Sequence, residues 1–433
     1  MLVRKSMMNL RRMRRPLPLA AAALGVALTL SACGGGDPGG PDADGITTLT
    51  LSTFNDWGYT DELLQEYMDE NPNIRIIHNR ASSSNDARAN YFQKLGKGGL
   101  ADLEGVEVDW MPEVLKYSDL VVPVPADLTD RWLDWKVEAA TDDEGNLVAY
   151  GVDIGPEGVC YRADLFEDAG LPSDRDEVAE LLDGGWDKYF ELGEEYVDAT
   201  GDAFFDSAGA TFQGMINQVP AAFENPETGE IVATTNPAVR EAFDVVTEYS
   251  SSQSAHLSQW SDDWYAGLAN GEFATMLCPG WMLGIIEGNA PQVDGWDMAD
   301  AFPGGGGNWG GSYITIPAKG KNIEEAQKLA AWLTSPEIQI KAFENAGLFP
   351  SQVEALESET LLSMTDPYFN DAPTGQILTD RAEAVAVTPH KGPQYFKIMD
   401  LMQEALNRVE DGLESPDEAW DKWVKEVKSV RVR

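Results

Sequence analysis

Thr48-Leu-Thr-Leu-Ser-Thr-Phe54 is the stretch on which the fold turns: a Thr-rich run with apolar residues two apart, which predicts a strand. A helical stretch follows near Asp61 to Met68 and is closed by Asn71-Pro72. Beyond it come a short strand, Ile74-Arg-Ile-Ile77, a second helix near Asp86 to Leu95, and a strand around Val106-Glu-Val108. Strands alternating with helices in this way imply a parallel sheet flanked by helices, an α/β class. Ligands on such sheets sit at the carboxyl ends of the strands. Phe54-Asn-Asp-Trp57-Gly-Tyr59 follows the first strand and Asp109-Trp110 the third, so Trp57, Tyr59 and Trp110 are candidate ligand contacts.

The chain around this unit has 433 residues, 43% of them apolar and 24% charged, enough to bury a sizeable core in two or three lobes. Asp and Glu number 73 against 31 Lys and Arg, a net charge of −42. Nucleic acid and anionic membrane surfaces are poor partners for such a surface. The three His and three Cys form neither a Cys-X-X-Cys pair nor a His-Glu-X-X-His motif, so no metal or cofactor is expected. His78, His256 and His390 are scattered and none reads as a catalytic base.

Residues 1–16 carry six basic side chains and no acidic one, and an apolar run from Leu17 to Leu30 follows. That run is short for a membrane span and fits the core of a secretory signal, with Sec and Tat export both open. It ends in Leu30-Ser31-Ala32-Cys33, which resembles the bacterial lipobox and makes Cys33 the candidate lipidation site. Gly34 to Gly45 contains no large apolar side chain and reads as a flexible tether, roughly 20 Å long as a coil. Removal of residues 1–32 leaves 25 basic residues against 73 acidic ones, a net charge of −48.

Further along, Ala140 to Ala149 and Asn225 to Val232 carry turn residues between extended runs and predict hairpins. The acids of the first do not have EF-hand spacing. Ser335-Pro336-Glu337 and Ser415-Pro416-Asp417-Glu418 are helix starts, and the last helix sets Trp420, Trp423 and Val427 on one face as core. Gly304 to Gly307 lacks the ending of a phosphate-binding loop and reads as a flexible lead into a strand.

Four segments resemble the extracellular solute-binding lipoproteins of ABC sugar importers, in particular the actinobacterial type for cellobiose-like oligosaccharides. They are Gly151 to Pro172, Gly271 to Met282, Phe302 to Tyr313 and Leu333 to Glu337, in matching order across the mature chain. The resemblance implies a two-lobe periplasmic-binding-protein-like (type II) fold, each lobe a mainly parallel sheet flanked by helices, joined by hinge crossings near Asp153, Ala299 and Ser351. The implied organisation is a signal peptide at 1–32, a lipid-anchored tether at 33–45, a first lobe of 46–153 plus 299–351, and a second of 154–298 plus 352–433. The same fold would set Cys160 and Cys278 on neighbouring strands of lobe two, outside the cytoplasm, where the alternatives are a disulfide and two buried thiols.

Thirteen Trp is a dense complement, and several stand beside Gly or Pro. Sugar C–H groups favour the negative face of an aromatic ring, and an adjacent Gly lets backbone amides approach the hydroxyls. Trp281, after Cys278-Pro-Gly, and Trp309, in Asn-Trp-Gly310-Gly311-Ser312, are therefore the leading stacking platforms, with core packing as the alternative. The crossing pattern implied by the resemblance puts them on opposite lobes. Trp260 and Trp264, four apart, would share one helix face, and Trp264 is taken as a contact. Glu107 and Asp153 are the candidate carboxylates for sugar hydroxyls.

The reading that follows is a non-catalytic, monomeric oligosaccharide receptor held at the outer face of the cytoplasmic membrane by its lipid alone. It would bind ligand between the lobes and deliver it to an ABC permease. The alternatives are the same fold with a peptide or polyamine ligand, and a secreted glycosidase using two carboxylates, for which no motif stands out.

Overall fold

The computed structural model describes residues 40–430. The signal segment and Cys33 lie outside the described residues. Of the stretch read as a tether, residues 40–45 are described and are not free: Asp42 Oδ1 accepts from the backbone N–H of Asp44 and of Ile46, and Gly40 N donates to Asn322 Oδ1 at 2.9 Å.

Among the described residues nine strands make two sheets. The first contains β1 (Thr47–Phe54), β2 (Ile74–Ala81), β3 (Leu103–Glu107), β4 (Tyr150–Gly151) and β9 (Ser312–Thr315), in the order β2-β1-β3-β9-β4. The second contains β5 (Glu157–Arg162), β6 (Ala203–Phe205), β7 (Phe273–Pro279) and β8 (Trp296–Ala299), in the order β6-β7-β5-β8. Each sheet is mixed, not mainly parallel. β9 runs antiparallel to both its neighbours, and so does β5. These are the two strands that enter a sheet from the other one. They start where the remaining strands end, at the junction between the sheets, so they must run the opposite way.

The opening βαβαβ unit forms as the sequence predicts, with helices at Asp61–Glu70 and Ser84–Lys94 between β1, β2 and β3. Thr60 and Ser83 cap those helices by accepting from Leu63 N and Asp86 N, which satisfies amides left free in the first turn. Ser415 and Glu418 make a capping box at the last helix, Pro416–Val427, whose Trp420, Trp423 and Val427 are buried. The first predicted hairpin closes through Val148 N donating to Ala140 O, the second through Asn225 N donating to Glu230 O.

One apolar core surrounds the first sheet and includes Leu329 and Leu333 of the helix Ile323–Leu333. A second lies around β5 and β6 with the helices Tyr395–Glu410 and Pro416–Val427. Ala299 and Ala301 pack in this second core, so the chain stays with the second sheet past Ala299. A third cluster holds Cys160, Cys278 and Phe349. Cys160 and Cys278 are joined across β5 and β7, with Cα atoms 5.3 Å apart. They sit diagonally, because Cys160 is opposite Met276 and Cys278 is opposite Gly158.

The two lobes meet where three segments lie side by side. Trp309 N donates to Gly155 O at 2.7 Å, Val152 N to Ser312 O at 2.9 Å, and Glu157 N to Gly307 O at 3.0 Å. Ile154 N donates to Phe349 O at 2.9 Å, bringing in the third segment. At Gly155 a Cβ would stand 1.8 Å from Trp309 O, so only glycine permits this approach. The run Gly304 to Gly307, read as flexible, is instead tied down: Gly304 N donates to Gly184 O, and Gln218 Nε2 donates to Pro303 O and Gly306 O.

Glu157, at the start of β5, is fully buried. Its Oε2 accepts from Asn217 Nδ2 at 3.1 Å, whereas Oε1 has no partner. Burial pushes its carboxyl from 4.5 up to about 8, against the lowering effects of Asn217 and Lys391. A folded-state pKa above the unfolded one means that stability is fully present below the unfolded value and is lost as pH rises toward the folded one. Glu157→Gln is therefore expected to raise stability relative to wild type by an increment that grows above pH 4.5 and levels off near pH 8. Its plateau should be on the order of 5 kcal/mol. Urea unfolding of both proteins from pH 5 to 9 reads this, and a pH-independent difference would refute it.

Candidate functional site

A cleft of about 680 Å³ opens between the lobes, with the hinge as its floor. Its size lies within the ~300–1,000 Å³ of small-ligand sites. The first lobe supplies the end of β1 and the loop beyond it, residues 54–57, the capped start of the helix Ser84–Lys94, Glu107 at the end of β3 and Asp109 just past it. The second supplies Gln213, the loop 258–262, Trp281, and one face of the helix Tyr395–Glu410. Asp153, Trp309, Gly310, Gly311 and Ser312 line it from the crossing segments.

The aromatic wall centres on Trp260. Its indole is 39% exposed and lies nearly parallel to that of Trp281, ring centroids 5.8 Å apart at 24°. Trp281 meets Trp309 edge to face at 6.1 Å, and its Nε1 donates to Trp309 O at 3.0 Å. Trp260 has φ 72°, a left-handed conformation that strains a bulky residue by roughly 1–3 kcal/mol. Asp206 fixes the surrounding loop, its Oδ2 accepting from Gln259 Nε2 at 2.8 Å and from Trp264 Nε1 at 3.0 Å. Burial holds the Asp206 carboxyl up at about 6.

The floor is a network of buried charge. Asp153, 2% exposed, accepts from Ser312 N at 2.7 Å, so it also ties two crossing segments together. Glu107 Oε2 accepts from Asp109 N at 3.0 Å. Asp109 forms an ion pair with Lys391 of the second lobe. Lys136, 1% exposed, has no hydrogen-bond partner for its ammonium among the described residues, and that ammonium lies 3.8 Å over the Tyr313 ring. Burial pushes Lys136 down to about 7, with Asp153 and Glu107 opposing it. Burial likewise lifts Asp153 to about 6, and burial with the neighbouring Asp109 raises Glu107. Burial alone would lower Lys391, yet Asp109 and its neighbours raise it.

Of the residues predicted from sequence, Glu107, Asp153, Trp281, Trp309, Gly310, Gly311 and Ser312 come together in this cleft. Trp57 reaches it only by an edge, since its ring is buried beside Gly105 and meets Phe54 and Tyr59 edge to face. Tyr59, Trp110 and Trp264 are in the core instead of the cleft, each fully buried. Tyr59 donates its hydroxyl to Leu333 O, and Trp110 packs on Tyr91 and donates Nε1 to Ser84 Oγ at 3.0 Å. Trp110 and Trp264 thus position cleft residues from behind. Of the pair Trp260 and Trp264 it is Trp260 that lines the cleft, against the spacing argument. The helix starts only at Asp262 with Ser261 as its cap, which leaves Trp260 outside it, and the run Ser261-Asp262-Asp263 is the signal that marks that start.

The chain belongs to the family of bacterial extracellular solute-binding proteins, which matches residues 62–370. It is similar to the crystal structure of an extracellular solute-binding protein of family 1, at 42% identity and TM-score 0.78 over 88% of this chain and 98% of that one. The fold is shared with the ABC transporter associated binding protein of B. animalis subsp. lactis Bl-04 in complex with β-1,6-galactobiose, at 17% identity and TM-score 0.75, over 88% and 97% of the two chains. It is thus the two-lobe α/β fold of periplasmic binding proteins. A lactose-binding protein of Rhizobium radiobacter is 26% identical over 229 residues, 49% of this chain and 51% of that protein. The chain spans about half the length of the curated relatives it matches. Among the described residues no group of His, Cys, Asp and Glu could hold a metal ion, and no helix is long and apolar enough to cross a membrane.

Because Trp260 is exposed while Trp281 packs against two cores, truncating them should separate binding from stability. Trp260→Ala is expected to weaken sugar binding by about 1–3 kcal/mol with little change in ligand-free stability. Trp281→Ala should lose affinity and also about 3 kcal/mol of stability. Calorimetry and urea unfolding on the same samples distinguish the two.

Proposed function

We propose that the mature protein is a non-catalytic extracytoplasmic receptor that binds a short oligosaccharide between its lobes and delivers it to the permease of an ABC importer. The observation that carries this reading is the exposed, strained Trp260 stacked on Trp281 in a cleft rich in hydrogen-bond acceptors. An indole face takes the apolar face of a sugar ring, and buried carboxylates accept from its hydroxyls. Support comes from the relatives, among them a lactose-binding protein and an arabinooligosaccharide-binding protein of Halalkalibacterium halodurans. A cellobiose-like disaccharide is the first ligand to try, and Asp153, Ser312, Trp281 and Trp309 are proposed contacts at the cleft floor. In a calorimetric screen of neutral di- and trisaccharides at least one should bind saturably at a single site and be recovered intact by mass spectrometry. Hydrolysis by the pure protein would overturn the receptor reading.

Cys33 is proposed to carry lipid and to hold the receptor at the outer face of the membrane, with residues 34–39 as the link to the folded body. Cys33→Ala should move the protein from the membrane to the soluble fraction of secreting cells. Unchanged membrane association would remove the anchor from the proposal.

A further inference from the structure

Two buried carboxylates stand behind the loop that carries Trp260. Asp206 is 2% exposed and Glu410 9%, and neither lines the cleft. The loop, residues 254–261, joins the helices Pro237–Gln253 and Asp262–Asn270. Its apolar anchorage is slight, since Ala255 and Leu257, both partly buried, are its contribution to the core. His256 at φ 55° and Trp260 at φ 72° are left-handed within it. Histidine tolerates that region, but a residue as bulky as tryptophan stays there only where its surroundings over-determine it.

The carboxylates supply that determination. Asp206 Oδ2 accepts from Gln259 Nε2 at 2.8 Å and from Trp264 Nε1 at 3.0 Å. Gln259 precedes Trp260 in the chain and the Trp264 ring lies 5.5 Å from it, so both neighbours of the indole end on one oxygen. The backbone O of Asp206 accepts from Leu257 N at 2.9 Å, and its Oδ1 from Ser207 N at 2.7 Å. At the other end of the loop Glu410 Oε1 accepts from Ser254 Oγ at 2.6 Å and from Ala208 N at 2.8 Å. Ser254 Oγ in turn accepts from His256 N at 2.9 Å. Trp260 itself takes part in no hydrogen bond among the described residues, so these bonds to its neighbours fix where it stands. Carboxylates suit the two places because the groups that meet their bonded oxygens are donors, and an ionised acceptor holds a donor about twice as strongly as a neutral one.

We infer that Asp206 and Glu410 are positioning residues for binding: from outside the cleft they clamp the strained loop, so that Trp260 presents its indole face before a sugar enters. Clamping in advance spares the ligand the ordering of a loop and of a large side chain. The effect on affinity rests on the sugar reading of the cleft, whereas the placement of the indole does not.

Two readouts on the mature protein test it. Fluorine NMR of protein carrying fluorotryptophan reads the loop without ligand, the Trp260 line being the one that Trp260→Phe removes. Asp206→Asn sets an amide N–H against donors, and Ser254→Ala cuts the Glu410 clamp at the other end. Each should move and broaden the Trp260 line while leaving in place those of Trp332 and Trp420, on the helices Ile323–Leu333 and Pro416–Val427. Calorimetry with whichever of cellobiose, lactose, maltose and maltotriose binds wild type most tightly reads the consequence. Asp206→Asn should weaken binding at least about tenfold, the effect of lost bonds to a charged acceptor. It should add no further loss to Trp260→Ala, because both act through one contact. A merely structural Asp206 would lower affinity equally in both backgrounds or not at all, and either result overturns the inference, as does a Trp260 line unmoved in both variants. If Asp206→Asn does not fold, Ser254→Ala carries the same two readouts. If none of the four sugars binds wild type, the sugar reading fails, and the fluorine line alone decides the clamp: a moved line upholds it and an unmoved one overturns it.

Discussion

Everything in the cleft hangs on the backbone pairing of two chain segments, 152–157 and 307–312. Val152, Glu157 and Trp309 donate across this pairing, and Asp153 adds its carboxylate to the amide of Ser312. The same few residues that join the lobes also line the floor of the cleft. Any rotation of one lobe on the other is taken up by a few dihedrals here, so a ligand touching Asp153 or Trp309 bears directly on the junction. The third segment is held separately. Gln339, buried in the helix Pro336–Ala346, accepts from Ser351 N and Gln352 N and donates to Gly151 O.

Buried charge costs free energy unless it is paired, and the hinge carries several ionisable groups in close company. The fold meets this cost in three ways. Asp109 and Lys391 pair across the lobes, Asp153 takes a backbone amide, and Lys136 rests on the face of Tyr313. The last is the least complete, because the ammonium has no hydrogen-bond acceptor. Such incompletely paired groups are costly to bury, and they stand beside the cleft between the lobes.

The first lobe was legible because its signals are local. Helix period, a Ser or Thr cap and the Asn71-Pro72 stop fix the βαβαβ unit without reference to distant residues. The second sheet was not legible in the same way, since β5, β7 and β8 are buried throughout and their side chains do not alternate. For the site, the Gly-flanked Trp309 could be read because its neighbours dictate its backbone. Two other aromatics could not: Trp110, after β3, turns inward onto Tyr91, and Trp264, on its helix, toward Asp206, 58 residues away. Whether an aromatic near a strand end faces ligand or core is decided by such long-range partners. Trp260 was misread for the opposite reason, since a regular spacing was trusted across a helix start.

The position of β9 has a kinetic consequence. It lies between β3 and β4, and its register pairs Glu107 with Ser312 and Tyr150 with Ile314. A chain emerging in order from its N-terminus therefore holds β1 to β4 with an empty slot until about 160 further residues have been made, counted from Gly151 to Ser312. The second sheet needs only the continuous stretch from Glu157 to Ala299 and can pair before that slot is filled. Closing the first sheet over so long an intervening loop, after the strands of the second have been made, makes it a slow and vulnerable step of folding. Exposed edges on β3 and β4 are what a holdase would have to cover in that interval.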